Sequence, residues 1–168
     1  MKEIIALSDK TITISRNAFL KVKGSIDTNV YYVESGSLRI FILHDYEEQI
    51  IRFGYQGNII VAMDSFLTGK PSNFYIQALK KTTVRVIPKQ RLDEFLATAS
   101  NRKWWIQVLE NLVLQQMERE IDLLTLSPRE RYERVLQRSP QLFQEIPGKY
   151  IANYLRMSAE TLSRLKKS

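Results

Sequence analysis

The chain has no cysteine and a single histidine, His44. Without thiols there is no disulfide framework, no thiolate-bound iron–sulfur cluster and no cysteine redox sensor. One imidazole cannot supply the ligand set of a zinc or iron centre. It also leaves no Ser/His/Asp or Cys/His nucleophilic set to assemble. No metal, no cofactor and no enzymatic activity are expected. His44 lies between Leu43 and Asp45-Tyr46-Glu47-Glu48, as in an exposed hairpin turn. The start of the chain runs from Met1-Lys2-Glu3-Ile4-Ile5 into Ser8, Asp9 and Lys10, with no apolar core of a signal peptide. No uncharged apolar run approaches the roughly 20 residues of a membrane span. A cytoplasmic protein with no membrane partner is the expectation.

What is present is enough chain, 168 residues, to bury a core without staples. The net charge of +7 is unevenly spread. Residues 1–126 carry 16 Lys/Arg against 14 Asp/Glu, and residues 127–168 carry 9 against 4. Most of the excess therefore sits in the last quarter, as in a protein with one basic, polyanion-facing region.

The first 87 residues read as strands: Thr11–Ser15, Phe19–Lys23, Val30–Glu34, Leu38–Leu43, Ile50–Phe53, Phe74–Leu79 and Thr83–Ile87. Gly24, Gly36, Gly54, Gly57 and Gly69 punctuate them. Closely spaced short strands predict a β-roll or barrel around one core. Beyond Pro88 the period becomes helical. Lys89–Ala97 has Leu92, Phe95 and Leu96 at helical spacing, and a long helix is predicted from Asn101 to Leu126. Its apolar stripe includes Trp104 and Leu124 and is too broad for one neighbour. Trp105, Val108, Leu109, Leu112, Val113, Met117 and Ile121 are the candidate seam with a second copy, giving a homodimer. Ser127-Pro128-Arg129-Glu130 restarts helix as a capping box with Pro at the first helical position, and Tyr132, Val135 and Leu136 form its buried face. Ser139-Pro140 ends it, and Pro147-Gly148 marks a further loop.

In Lys149–Leu155, Tyr150, Ile151, Tyr154 and Leu155 share one helical face. Arg156-Met157 form a turn and Ser158 caps a second helix, with Glu160 in its first turn. Leu162 and Leu165 point inward. Two short helices with a tight turn, the second polar and basic outside, suit a major groove. The DNA-binding set read here is Lys149, Arg156, Ser158, Ala159, Glu160, Thr161, Ser163, Arg164, Lys166 and Lys167. Arg164 is suited to bidentate bonding with guanine and Glu160 to accepting from cytosine. Lys149, Arg156, Lys166 and Lys167 are suited to phosphates. Spacing alone leaves open an ordinary helical hairpin with a charged face.

The stretch IANYLRMSAETLSRLKK resembles the C-terminal helix-turn-helix of the Crp/Fnr family of bacterial regulators, especially short Bacteroidetes-type members. YYVESGSLRIF, GNIIVAMDSFLTGKPSNFYIQAL and LSPRERYERVL resemble the same family in the same order, so the likeness covers residues 19–168. It implies an α+β chain in three parts. Residues 1–99 would be a cyclic-nucleotide-binding-like double-stranded β-helix, or β-roll. Residues 100–126 would be the dimerisation helix and 127–168 the helix-turn-helix domain. The implied partners are double-stranded DNA with a pseudo-palindromic operator, a second copy of the chain, RNA polymerase and an unidentified small-molecule effector. The implied base readers are Glu160 and Arg164, while Ala159 replaces a basic residue that some members carry before that Glu.

Departures from the family pattern carry their own expectations. Members that bind cyclic AMP use a Glu for the ribose and an Arg-led triplet for the phosphate. The corresponding positions are Ala62 and Ser72-Asn73-Phe74. A cyclic phosphate there would lack its bidentate partner, so no response to cyclic AMP is expected. The candidate effector pocket is Val61, Ala62, Met63, Ser72, Asn73 and Phe74. Ile59, Ile60 and Phe66 add apolar bulk that would fill it. Lys70 and Arg52 read as solvated surface cations, with an anionic ligand as their alternative role. The helix before the β-roll is expected to be short or absent, and no wing follows the second helix of the helix-turn-helix. Arg156 stands where many relatives have Gly, at a cost if the turn needs positive φ. The alternative is a ligand-sensing or protein-interaction module with a degenerate DNA-binding domain.

Overall fold

The β-branched and aromatic runs of the first half become strands in the computed structural model, which describes residues 2–8 and 10–167. The chain divides into two units, Met1–Phe95 and Leu96–Ser168. In the first, a short helix α1 (Lys2–Ile5) precedes β1 (Lys10–Ile14), β2 (Phe19–Lys21), β3 (Val30–Ser35), β4 (Ser37–His44), β5 (Glu47–Tyr55) and β6 (Ile59–Val61). Helix α2 (Met63–Thr68), β7 (Tyr75–Ala78), β8 (Thr82–Ile87) and α3 (Lys89–Phe95) complete it. Two four-stranded sheets form, in the orders β1-β8-β3-β6 and β2-β7-β4-β5.

Alternation decides which side chains enter. Antiparallel register sets Tyr31 opposite Val86 and Val33 opposite Val84, so β3 and β8 turn the same face inward. Val33, Leu38, Ile76, Ala78 and Val84 are fully buried in one cluster, each large side chain contributing about 1.5–3 kcal/mol. Gly54 lets β5 pass Ile60; a Cβ there would lie 2.3 Å from the isoleucine Cδ1. The hairpin between β4 and β5 turns at Asp45 (φ 48°) and Tyr46 (φ 66°), with His44 pairing Glu47. Positive φ at both central residues is the two-residue turn that matches strand twist. His44 is in this exposed turn, 3.4 Å from the Asp45 carboxylate.

Two elements of this unit differ from the sequence expectation. β6 has only three residues and shows no alternation to read. α2 is six residues long and carries Ser65 and Thr68, so it has neither length nor periodicity. The helix before β1 is short, as expected: it has only the four residues of α1, with Ile4 buried.

The second unit is helical: α4 (Ala99–Leu124), α5 (Pro128–Arg138), α6 (Pro140–Glu145), α7 (Gly148–Tyr154) and α8 (Ala159–Leu165). Thr98 caps α4 by accepting from Asn101 N, and Ser127 caps α5 by accepting from Glu130 N. α6 lies where the sequence was read as a break, and Gly148 opens α7 instead of continuing a loop. A small core of Val135, Leu142, Ile146, Ile151, Ala152, Leu155 and Leu162 joins α5 to α8. The buried face of α5 is set by Arg131 and Val135, while Tyr132 and Leu136 are half-buried. Tyr132 meets Phe143 edge-on at 5.4 Å.

Candidate nucleic-acid interface

α7 and α8 are joined by a turn whose hydrogen bonds can be fully accounted for. Arg156 N donates to Asn153 O and Met157 N to Ala152 O, both at 3.0 Å. This is the paired bonding of a Schellman motif, with the left-handed position at Arg156, φ 54°. Glycine is the usual residue there; arginine carries the Cβ cost that the sequence made conditional on this geometry. Ser158 then starts α8, its Oγ accepting from Thr161 N at 3.1 Å and lying 3.0 Å from Thr161 Oγ1.

The cap divides the candidate residues into two groups. Ser158 and Thr161 have their hydroxyls engaged with each other. Ala159, Glu160, Ser163 and Arg164 are exposed, as are Lys166 and Lys167 just beyond α8. Glu160 and Arg164 are one helical turn apart, so their side chains share a face. Leu162 is buried beneath them and Leu165 half-buried. Lys149 lies over the Tyr150 ring at 4.7 Å and Lys166 over the Phe143 ring at 5.7 Å, both with exposed side chains. Arg156 is exposed on the turn itself.

Two arginines missed by the sequence reading lie behind this surface. Arg119 of α4 donates to Tyr154 O at 2.6 Å and stacks on the Tyr154 ring at 3.6 Å. Burial lowers its pKa, against the opposing pull of Tyr154 and Asp122. Arg131 of α5 donates to Leu155 O and Arg156 O. The available signal was positional: Arg131 falls four residues before Val135, on the same buried face. Nearby, the fully buried Asp122 carboxylate accepts from Arg134 and Arg138. Burial alone would lower the Arg138 pKa, but the bond and charge of Asp122 outweigh it and raise it.

Along α4, Val113, Met117 and Ile121 of the candidate seam are exposed, while Trp105, Val108, Leu109 and Leu112 are half-buried. Ile106, Leu114 and Leu124 extend the uncovered apolar surface and were not in the seam read from sequence.

In the β-roll, Ala62 is fully buried at the N-terminus of α2, and Val61 and Met63 flank it half-buried. Ser72 is buried, Asn73 exposed, and Phe74 packs on the core. Asp64, overlooked in the sequence, organises this segment. Its carboxylate accepts from Ser65 N, Ser72 Oγ and Asn73 N at 2.8, 2.8 and 2.9 Å. A separate cavity of about 360 Å³ is lined by Lys10, Ile12, Leu20, Asn29, Tyr31, Val86 and Pro88, and none of the six candidate pocket residues lines it. At its wall the Tyr31 hydroxyl donates to Asp27 at 2.8 Å; burial first, then that carboxylate, raises its pKa. Among the described residues, no three His, Asp or Glu side chains are grouped to hold a metal, and no helix is long and apolar enough to cross a membrane.

Residues 11–99 match the family model of the cyclic nucleotide-binding domain. The chain belongs to this family. Among solved structures, a double mutant of CooA from Carboxydothermus hydrogenoformans is similar at 17% identity and TM-score 0.74, over 98% of this chain and 77% of the other. FixK2 from Bradyrhizobium japonicum is similar at 19% identity and TM-score 0.76, over 94% and 82%. The Thermus thermophilus catabolite activator protein is similar at 19% identity and TM-score 0.61, over 99% and 80%. The architecture of the chain is thus that of Crp/Fnr regulators, the family its sequence resembles. No curated protein matches the sequence.

Family membership raises the fit of a cyclic nucleotide. The residues of this family member do not fit its phosphate. Ser72 Oγ and the Asn73 amide already donate to Asp64. A phosphate brought to the same donors would face that carboxylate, charge against like charge. Ala62 offers no polar side chain for a ribose.

Proposed function

We propose that the chain is a homodimeric, sequence-specific DNA-binding transcription regulator that does not respond to cyclic AMP. The observation that carries this reading is the outer face of α8. It presents Glu160 and Arg164 one turn apart, above a buried Leu162 and beside the cations Arg156, Lys166 and Lys167. The fold shared with the catabolite activator protein over 99% of this chain supports the same class over an enzyme. The exposed apolar stripe of α4 supports a second copy of the chain as partner. The carboxylate lodged among Ser72 and Asn73 supports insensitivity to cyclic AMP. Against the degenerate-domain alternative stands the α7–α8 turn, whose bonding is complete despite Arg156.

Arg164→Ala tests the reading. Fluorescence anisotropy on a bound operator and on single-base variants should show a loss of about 1–3 kcal/mol, confined to one base pair of each half-site. Equal affinity and an unchanged ranking of the variants would remove Arg164 from the readout.

A further inference from the structure

A helix ends with carbonyls that have no helical donor. In α7, the turn amides of Arg156 and Met157 cover Asn153 and Ala152. The next three carbonyls in order are covered by arginines of other helices. Tyr154 O accepts from Arg119 Nη2, Leu155 O from Arg131 Nε at 2.9 Å, and Arg156 O from Arg131 Nη2 at 3.1 Å. The other edge of the Arg131 guanidinium faces elsewhere. Its Nη1 donates to Thr125 O at 2.5 Å and Leu126 O at 3.1 Å, the carbonyls at the exit of α4. The side chain is buried, so it is no phosphate ligand. Guanidinium is the one side chain with donors fixed in a plane on opposing edges; a lysine ammonium at the same place cannot span two carbonyl pairs.

We propose that Arg131 is a positioning residue for DNA reading. It locks the exit of α4 and the α7–α8 turn into one body, so that the aim of Glu160 and Arg164 is set by the direction of α4. Any rotation of the α4 exit is delivered to the α7–α8 turn through this guanidinium on the first turns of α5, without following the chain through the rest of α5, α6 and α7. Arg119 adds a second tie from α4 to the same turn. The consequence for DNA rests on the proposed function; the mechanical tie does not.

The test uses the full chain, which has no cysteine of its own. Spin labels are placed at Glu120→Cys on α4 and Ser163→Cys on α8. Doubly labelled chain is diluted into excess unlabelled chain, so that only distances within one chain are read. The expected result is one narrow distance distribution that broadens with Arg131→Lys at a melting temperature within a few degrees of the parent. Operator affinity, measured on unlabelled chains, falls at least about tenfold in this variant, its ranking of operator variants flattens, and its salt slope is unchanged because no phosphate contact is lost. A distribution that stays narrow in Arg131→Lys overturns the proposal. Should that variant not fold, native-state hydrogen exchange of the unaltered chain decides. The amides of Thr125 and Met157 should open in one event with a common denaturant dependence, and independent opening overturns the tie. If the unaltered chain shows no sequence preference for DNA, the functional reading fails, while the distance and exchange results still decide the tie.

Discussion

Arg156 occupies the left-handed position of the α7–α8 turn at φ 54°. A non-glycine residue in that region costs about 1–2 kcal/mol relative to right-handed backbone. Glycine would remove the Cβ clash but gains freedom in the unfolded chain, which offsets part of the benefit. Arg156→Gly is therefore expected to stabilise the protein by a few tenths to about 1 kcal/mol in denaturant unfolding. The same change removes an exposed cation beside α8, so DNA affinity should fall and the salt slope should become shallower by about 1. A glycine variant that is less stable, with an unaltered salt slope, would contradict both assignments. The identity of this turn was legible from a short polar dipeptide between two apolar faces. The arginines beneath it were not. Charged residues are normally read as surface, and Arg131 is buried because it satisfies carbonyls contributed by segments 24 and 25 residues away. Asp64 was illegible for a related reason. Its partners Ser72 and Asn73 meet it only after α2 has turned the chain back.

α4 inverts the usual sorting of a helix. Its two buried residues are Arg119 and Asp122, whereas Val113 and Met117 are 58% and 53% exposed and Leu124 is 79% exposed. The polar side is covered because its charges pair with α5 and with the turn carbonyls. The apolar side stands in water, forgoing about 1.5–3 kcal/mol for each large side chain. A second copy of the same stripe is the proposed cover. Met117→Glu places a carboxylate in the middle of that seam, against its own symmetry mate in a parallel pair. The expected outcome in analytical ultracentrifugation is a shift from dimer to monomer, with the β-roll still folded by circular dichroism. A dimer of undiminished affinity would place the interface elsewhere. The stripe was readable from helical spacing and the polar burial was not, since spacing reports which faces exist and not which partner each one meets. β6, α2 and α6 escaped because each is too short for a period to declare itself.

At the scale of the whole molecule, the basic excess does not follow the boundary between the two units at residue 95; it is concentrated after α4, in residues 127–168. A cyclic nucleotide-binding β-roll with a small positive excess precedes a helical unit whose last 42 residues carry more than twice as many basic as acidic side chains. Seven of the eight strands, their core and the family were legible because β-branched alternation and four blocks of resemblance run in order along the chain. The tie between the α4 exit and the α7–α8 turn was not, because it depends on buried arginine bonds within the helical unit. The proposed dimer presents two copies of α8 to one face of DNA, and this geometry is what the central claim requires. Selection of bound sequences from random DNA by the purified chain, with Arg164→Ala in parallel, tests it most directly. The account predicts an enriched pseudo-palindrome with half-site centres about 34 Å apart, one helical turn. It also predicts loss of preference at one base pair per half-site in the variant. Recovery of unrelated sequences with no shared motif would contradict it.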